Sequence, residues 1–224
     1  MNERPGANRL VAWATIIGVL AALGYAGRFA GGKQPKEPLY HWDNFVGGLV
    51  QFLVLLGFML LVARGLPKKE AFALRRPRSW GRAAAIAFGT VVVILVVSAA
   101  LDPVLNPNKE QGLTPNGWEP RHAAAFAANF VVVALLAPVV EELTFRGLGF
   151  TLLERFGRWA AIVLVGIVFG LAHGLVEALP PLVVFGMCLA YLRDRTRSVY
   201  PGMILHALYN GLVLLFAVDF FHRH

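Results

Sequence analysis

The sequence is short of charge. Only 15% of its 224 residues are Asp, Glu, Lys or Arg and 57% are hydrophobic, whereas soluble domains carry roughly 25% charged and 45–50% apolar residues. Together with a mean hydropathy of +0.61, this excludes a water-soluble globule. Cysteine is nearly absent as well. The single Cys188 lies in an apolar run, which rules out a disulfide framework and a thiolate metal cluster and leaves a buried structural thiol. Acid is the scarcer charge, 13 residues against 21 basic, for a net charge of +8. In a soluble chain that excess would suggest a polyanionic partner. Here no basic stripe with interleaved aromatics occurs, and the basic residues sit between hydrophobic blocks, so no nucleic acid is expected. Also lacking are an internal repeat, a low-complexity linker and the His-Glu-x-x-His spacing of soluble zinc proteases.

What is present is a series of apolar blocks. A bilayer core about 30 Å thick needs about 20 apolar residues in a helix, and seven segments are readable on that basis. They run at about Leu10–Ala26, Phe45–Ala63, Ala83–Leu101, Ala123–Leu153, Trp159–Leu175, Leu179–Leu192 and Val199–Phe216. The predicted fold is all-α, a polytopic transmembrane helix bundle of about seven spans forming one membrane domain over residues 1–224. The first block follows Arg4 and Arg9 and ends in Gly24-Tyr25-Ala26, which also fits a cleaved signal. At about 17 residues it exceeds the usual signal core and is read as retained. With the N-terminus inside, fifteen Lys and Arg fall on the inner side. Only Arg28, Lys33, Lys36, Lys109, Arg121 and Arg223 fall outside. The positive-inside rule then predicts a multi-pass protein of the cell membrane with a cytoplasmic N-terminus and an external C-terminus. Lipid is one expected partner, and the basic loop Arg64–Arg82 suits anionic headgroups at roughly 1 kcal/mol per nearby charge.

Ionisable side chains inside spanning segments are expensive and are functional candidates by default. They are few: Glu141, Glu142 and Arg146 on the fourth block, His173 on the fifth, and His206 with Asn210 on the seventh. Glu142 and Arg146 are four apart, share a helix face and can neutralise each other. Glu141 is rotated about 100° away and has no partner at helical spacing. It must find one on another helix, bind an ion or water, or take up a proton. Counted at 1.5 Å per residue, Glu141 lies roughly 21 Å from the inner boundary, His173 roughly 22 Å and His206 roughly 14 Å. His173 is therefore the expected neighbour of Glu141, with His206 lower unless tilt closes the gap. Pro138, one turn before Glu141, is expected to kink this overlong helix. His206 and Asn210 share a face, and they read either as two donors to a developing oxyanion or as interhelical glue.

Three separated motifs run through these residues. They are Glu141-Glu142-Leu143-Thr144-Phe145-Arg146 as E-E-x-x-x-R, Phe169-Gly170-Leu171-Ala172-His173 as F-x-x-x-H, and His206-Ala207-Leu208-Tyr209-Asn210 as H-x-x-x-N. On them the chain resembles the CAAX-protease and bacteriocin-processing (CPBP, or Abi) family, which includes the type II CAAX prenyl endopeptidases. The resemblance covers residues 141–210, about a third of the chain, and implies a catalytic core over residues 123–217. It implies an intramembrane endopeptidase in which Glu141 is the general base and His173 helps it hold the attacking water. His206 and Asn210 would stabilise the oxyanion, with Glu142, Arg146 and Phe169 shaping the site. The implied partner is a membrane-associated peptide or protein, prenylated or carrying a C-terminal sorting tail. No cofactor is expected. Zinc is the alternative, held by Glu141, His173 and His206, although a ligand set drawn from three separate helices is unlike the soluble enzymes. A non-catalytic immunity or scaffold protein that binds peptide is the competing function, because fold does not fix function. A proton-coupled transporter is disfavoured by the lack of paired halves with broken helices.

Overall fold

The computed structural model describes residues 6–30, 37–101, 103–105, 110 and 117–218. Of the basic residues in the charge count, Arg4, Lys33, Lys36, Lys109 and Arg223 lie outside them. In lipid every backbone polar group must be satisfied internally, so apolar blocks become helices. The described residues hold α1 (Ala7–Phe29), a 3₁₀ turn at Pro38–Tyr40, α2 (Trp42–Val62), the single turn α3 (Lys68–Ala71) and α4 (Trp80–Leu101). A continuous helix α5 (Pro120–Phe156) follows, then α6 (Arg158–Ala172), α7 (Leu179–Thr196) and α8 (Tyr200–Ala217).

Four of these, α1, α2, α4 and α5, are long and apolar enough to cross a membrane. The helices Arg158–Ala172 and Tyr200–Phe216 are apolar but shorter. In α7 the last turn carries Arg193 and Arg195, with Asp194 between them, which shortens its apolar run. The expected seven blocks are thus all helical, while four meet the length for a span.

Burial ranks the four. Only 11% of the apolar window is buried in α1, α2 and α4, against 44% in α5. The first three present apolar side chains such as Leu23, Leu53 and Phe88 outward, as lipid-facing helices do, and α5 is the central helix. The main core gathers Trp13 and Ile17 of α1, Leu55 and Met59 of α2, Phe145 and Leu148 of α5, Phe169 of α6 and Phe185 of α7 around it.

Close approach of α6 and α7 depends on small residues. Gly166 and Gly170 of α6 form a G-x-x-x-G stripe, and a Cβ on Gly186 of α7 would lie 2.8 Å from Gly166 Cα. Small residues at this spacing let membrane helices touch backbone to backbone. Gly174, at φ +65°, ends the α6 segment just past His173. It is pressed on Gly24 of α1, where a Cβ would meet the Gly24 backbone at 2.7 Å.

Candidate active site

The central helix is not uniform. Two stretches, Val132–Leu136 and Glu142–Gly149, have the wide π-type turn, and the short α-helical stretch Ala137–Glu141 lies between them. Such widened turns are rare and concentrate at functional sites. Side chains of other helices donate to a carbonyl in each stretch. Trp13 Nε1 of α1 donates to the Thr144 carbonyl at 3.0 Å, and Asn210 Nδ2 of α8 donates to the Val133 carbonyl at 3.0 Å. Gly149 leaves the notch for the indole, since a Cβ there would lie 2.5 Å from Trp13 Cζ2.

The two glutamates at the junction have different surroundings. Glu142 and Arg146 are both 0% exposed, and Arg146 Nη1 donates to Glu142 Oε1 at 2.9 Å. Arg146 Nη2 donates to the Gly186 carbonyl at 3.1 Å, and the guanidinium lies 4.2 Å from the centre of the Phe169 ring. The expected pair is formed, and its charge is shared among a carboxylate, a carbonyl and an aromatic face. Glu142 Oε2 has no hydrogen-bond partner and rests on Gly202, where a Cβ would lie 2.5 Å away. Glu141 keeps a side chain 14% exposed, and its Oε2 lies 3.7 Å from His206 Nε2. The other ring nitrogen, His206 Nδ1, faces Glu142 Oε1 at 3.3 Å. His206 is therefore set between the two carboxylates, one locked and one open.

Sequence counting made His173 the neighbour of Glu141 and set His206 lower, whereas the structure brings His206 to that carboxylate. His173 Nδ1 is tied to the Phe169 carbonyl one turn back at 2.8 Å, while the carboxylate of Glu141 sits beside His206. The count assumed an α-helical rise throughout α5. Wide turns put more residues into each turn and advance less per residue, so the stretch Glu142–Gly149 draws Glu141 towards the level of His206. Helix α6 carries no such stretch. Both histidines nevertheless flank one ring, with centroids 4.7 Å (His173) and 6.0 Å (His206) from that of Phe169, so Phe169 organises the site more than its motif position suggested. Among the described residues no group of three His, Cys, Asp or Glu side chains is placed to hold a metal ion. Glu141, His173 and His206 as arranged here do not make a zinc ligand set.

The family model described as "Type II CAAX prenyl endopeptidase Rce1-like" matches residues 123–212. That segment is a domain of the CPBP family. All three motifs fall inside it, as do all but the first three residues of α5, the whole of α6 and α7 and most of α8. A Bacillus subtilis (strain 168) protein named "Putative membrane peptidase YdiL" is 22% identical over 196 residues, covering 85% of this chain and 79% of that protein. No solved structure matches the chain. The CPBP domain takes contributions from outside its own limits, because Trp13 of α1 supplies the donor to Thr144. Trp13, Phe185, Gly186 and Gly202 had no place in the motif reading. Two had a visible signal: Gly202 precedes His206 by four residues and shares its face, and an indole N–H inside an apolar segment requires an acceptor.

Proposed function

We propose that the chain is an intramembrane endopeptidase that cleaves a membrane-associated peptide or protein, with Glu141 as general base. One observation carries the reading. Of two adjacent carboxylates, Glu142 is buried and neutralised by Arg146, whereas Glu141 is open on one side and has an imidazole nitrogen 3.7 Å away. A water held by Glu141 gives it a proton as the water oxygen bonds to the scissile carbonyl carbon. His206, carrying a proton on each ring nitrogen, donates through Nδ1 to Glu142 and through Nε2 to the developing oxyanion. The carbon–nitrogen bond then breaks and the proton on Glu141 passes to the leaving amine. His173, fixed on the Phe169 carbonyl, borders the same ring and lines the approach of water.

The substrate we propose is a peptide whose scissile bond enters from the bilayer, either prenylated or ending in a hydrophobic sorting tail. We further propose that α6, α7 and α8 complete a seven-span bundle, with the N-terminus in the cytoplasm, in which residues 123–217 act as the catalytic core of a single domain. The test is cleavage of a lipid-anchored peptide by the purified chain in vesicles. The wild type cleaves and Glu141→Ala does not. Equal cleavage by both, or none by the wild type across prenylated and tail-anchored peptides, overturns the proposal.

A further inference from the structure

A proline inside a helix leaves one carbonyl without its N–H partner. In an α-helix the orphan lies four residues back, and in a widened turn it lies five back. The register just before Pro138 is the widened one, because Ala137 N–H donates to the Val132 carbonyl, five residues back. One residue further along the same ladder, the carbonyl that position 138 would serve belongs to Val133. That is the carbonyl to which Asn210 Nδ2 donates at 3.0 Å. An amide on α8 therefore occupies the hydrogen-bonding place that the proline leaves open on α5.

We propose that Asn210 is a positioning residue for Glu141, its side-chain N–H standing in for the main-chain N–H that Pro138 lacks and so holding open the widened turn at Val132–Leu136. The inference rests on Glu141 being the base. A widened turn amounts to one extra residue in the helix, and closing it rotates everything beyond by one residue step, about 100°. Glu141 and Glu142 are separated by that same angle. Keeping the turn open therefore decides which way Glu141 points, and Glu141 is only three residues past the proline. The Asn210 amide has a second N–H, but the first is committed to the backbone of α5. This differs from an oxyanion donor, whose loss nothing on α5 can repair. A backbone cap can be repaired by restoring the N–H at position 138.

The experiment is a double-variant cycle on the full chain in vesicles, with Asn210→Ala, Pro138→Ala and both together. Each is read by kcat and KM on a lipid-anchored peptide and by the thermal unfolding midpoint. Asn210→Ala alone should lower kcat by about 10²-fold, the scale of a displaced catalytic group, with KM little changed. It should lower the midpoint by about 2–4 °C, as for one internal hydrogen bond. In the Pro138→Ala background the same change should cost less than about twofold in kcat and leave the midpoint in place. Equal costs in both backgrounds overturn the proposal. If Pro138→Ala is itself inactive, the midpoints alone decide, by the same two outcomes. They also stay readable if Glu141→Gln keeps full turnover, in which case the base assignment fails separately.

Discussion

Replacing Glu142 by glutamine takes one charge out of an ion pair whose two side chains are both 0% exposed. The amide oxygen still accepts from Arg146, but the guanidinium is left without a counterion in a dry core. Neutralising one partner of a buried pair costs about 3–5 kcal/mol. Two contacts of Arg146 survive the change, the Gly186 carbonyl at 3.1 Å and the Phe169 face at 4.2 Å, and a desolvated cation–π contact contributes about 2 kcal/mol. The expected loss is therefore at the low end, about 3 kcal/mol, which for a chain of this length lowers the unfolding midpoint by about 6–12 °C. Glu141→Gln is the control. Its neighbour His206 Nε2 is 3.7 Å away and the side chain is 14% exposed, so the midpoint should move by less than about 2 °C. Turnover should fall by about 10²–10⁴, because an amide accepts no proton from water. Unfolding would be followed by intrinsic tryptophan fluorescence in detergent, and turnover by release of a labelled peptide. A Glu142→Gln midpoint within 2 °C of wild type, or a Glu141→Gln variant with full turnover, refutes the division of labour between the two carboxylates.

Gly202→Ala places a Cβ 2.5 Å from Glu142 Oε2 and 3.3 Å from its Cδ. Because that carboxylate is pinned by Arg146, the variant should lose about 1–3 kcal/mol of stability, and a wild-type melting curve contradicts it. His206→Ala should lower kcat by about 10²–10³ with little change in KM and leave the metal content unchanged. Stoichiometric zinc in the wild type that disappears in the variant would overturn metal-free catalysis, as would inactivation by chelators reversed by zinc. The charge bias predicts that the Arg64–Arg82 and Arg193–Arg197 loops face the cytoplasm. In a Cys188→Ala background, cysteines at the exposed positions Ser79 and Arg195 should resist impermeant reagents in intact cells. Thr196 is a poor probe because it is buried, with its hydroxyl on the Leu192 carbonyl at 2.7 Å. Labelling of both positions from outside inverts the topology.

Helix existence was legible because apolar blocks in lipid have few alternatives. Helix length was less so. The fifth block was expected to reach Leu175, but α6 ends at Ala172 and Gly174 turns away at φ +65°. The Glu142–Arg146 pair was legible because side chains four apart remain neighbours even when the turn is widened. The partner of Glu141 was not. Its identity depends on the depth of the residue, and depth depends on how many turns of α5 are wide, a property of backbone hydrogen bonding that hydropathy does not record.

The same reasoning explains why the motif segment alone leaves the site incomplete. Within residues 123–212 Pro138 marks the carbonyl of Val133, yet no residue type there marks that of Thr144 as an acceptor for another helix. The donors to them come from two other helices, Asn210 from α8 and Trp13 from α1. Trp13 lies 131 positions before Thr144 and outside the segment that matches the family. Its indole is fully buried against Phe145, whose ring it meets edge-on at 6.4 Å, and Phe145 in turn meets Phe169 edge-on at 5.3 Å. The ring that carries Arg146 and borders both histidines is thus braced through two aromatic contacts by the first helix. A block that reads in sequence as an anchor is, in the folded chain, part of what fixes the geometry around Glu141.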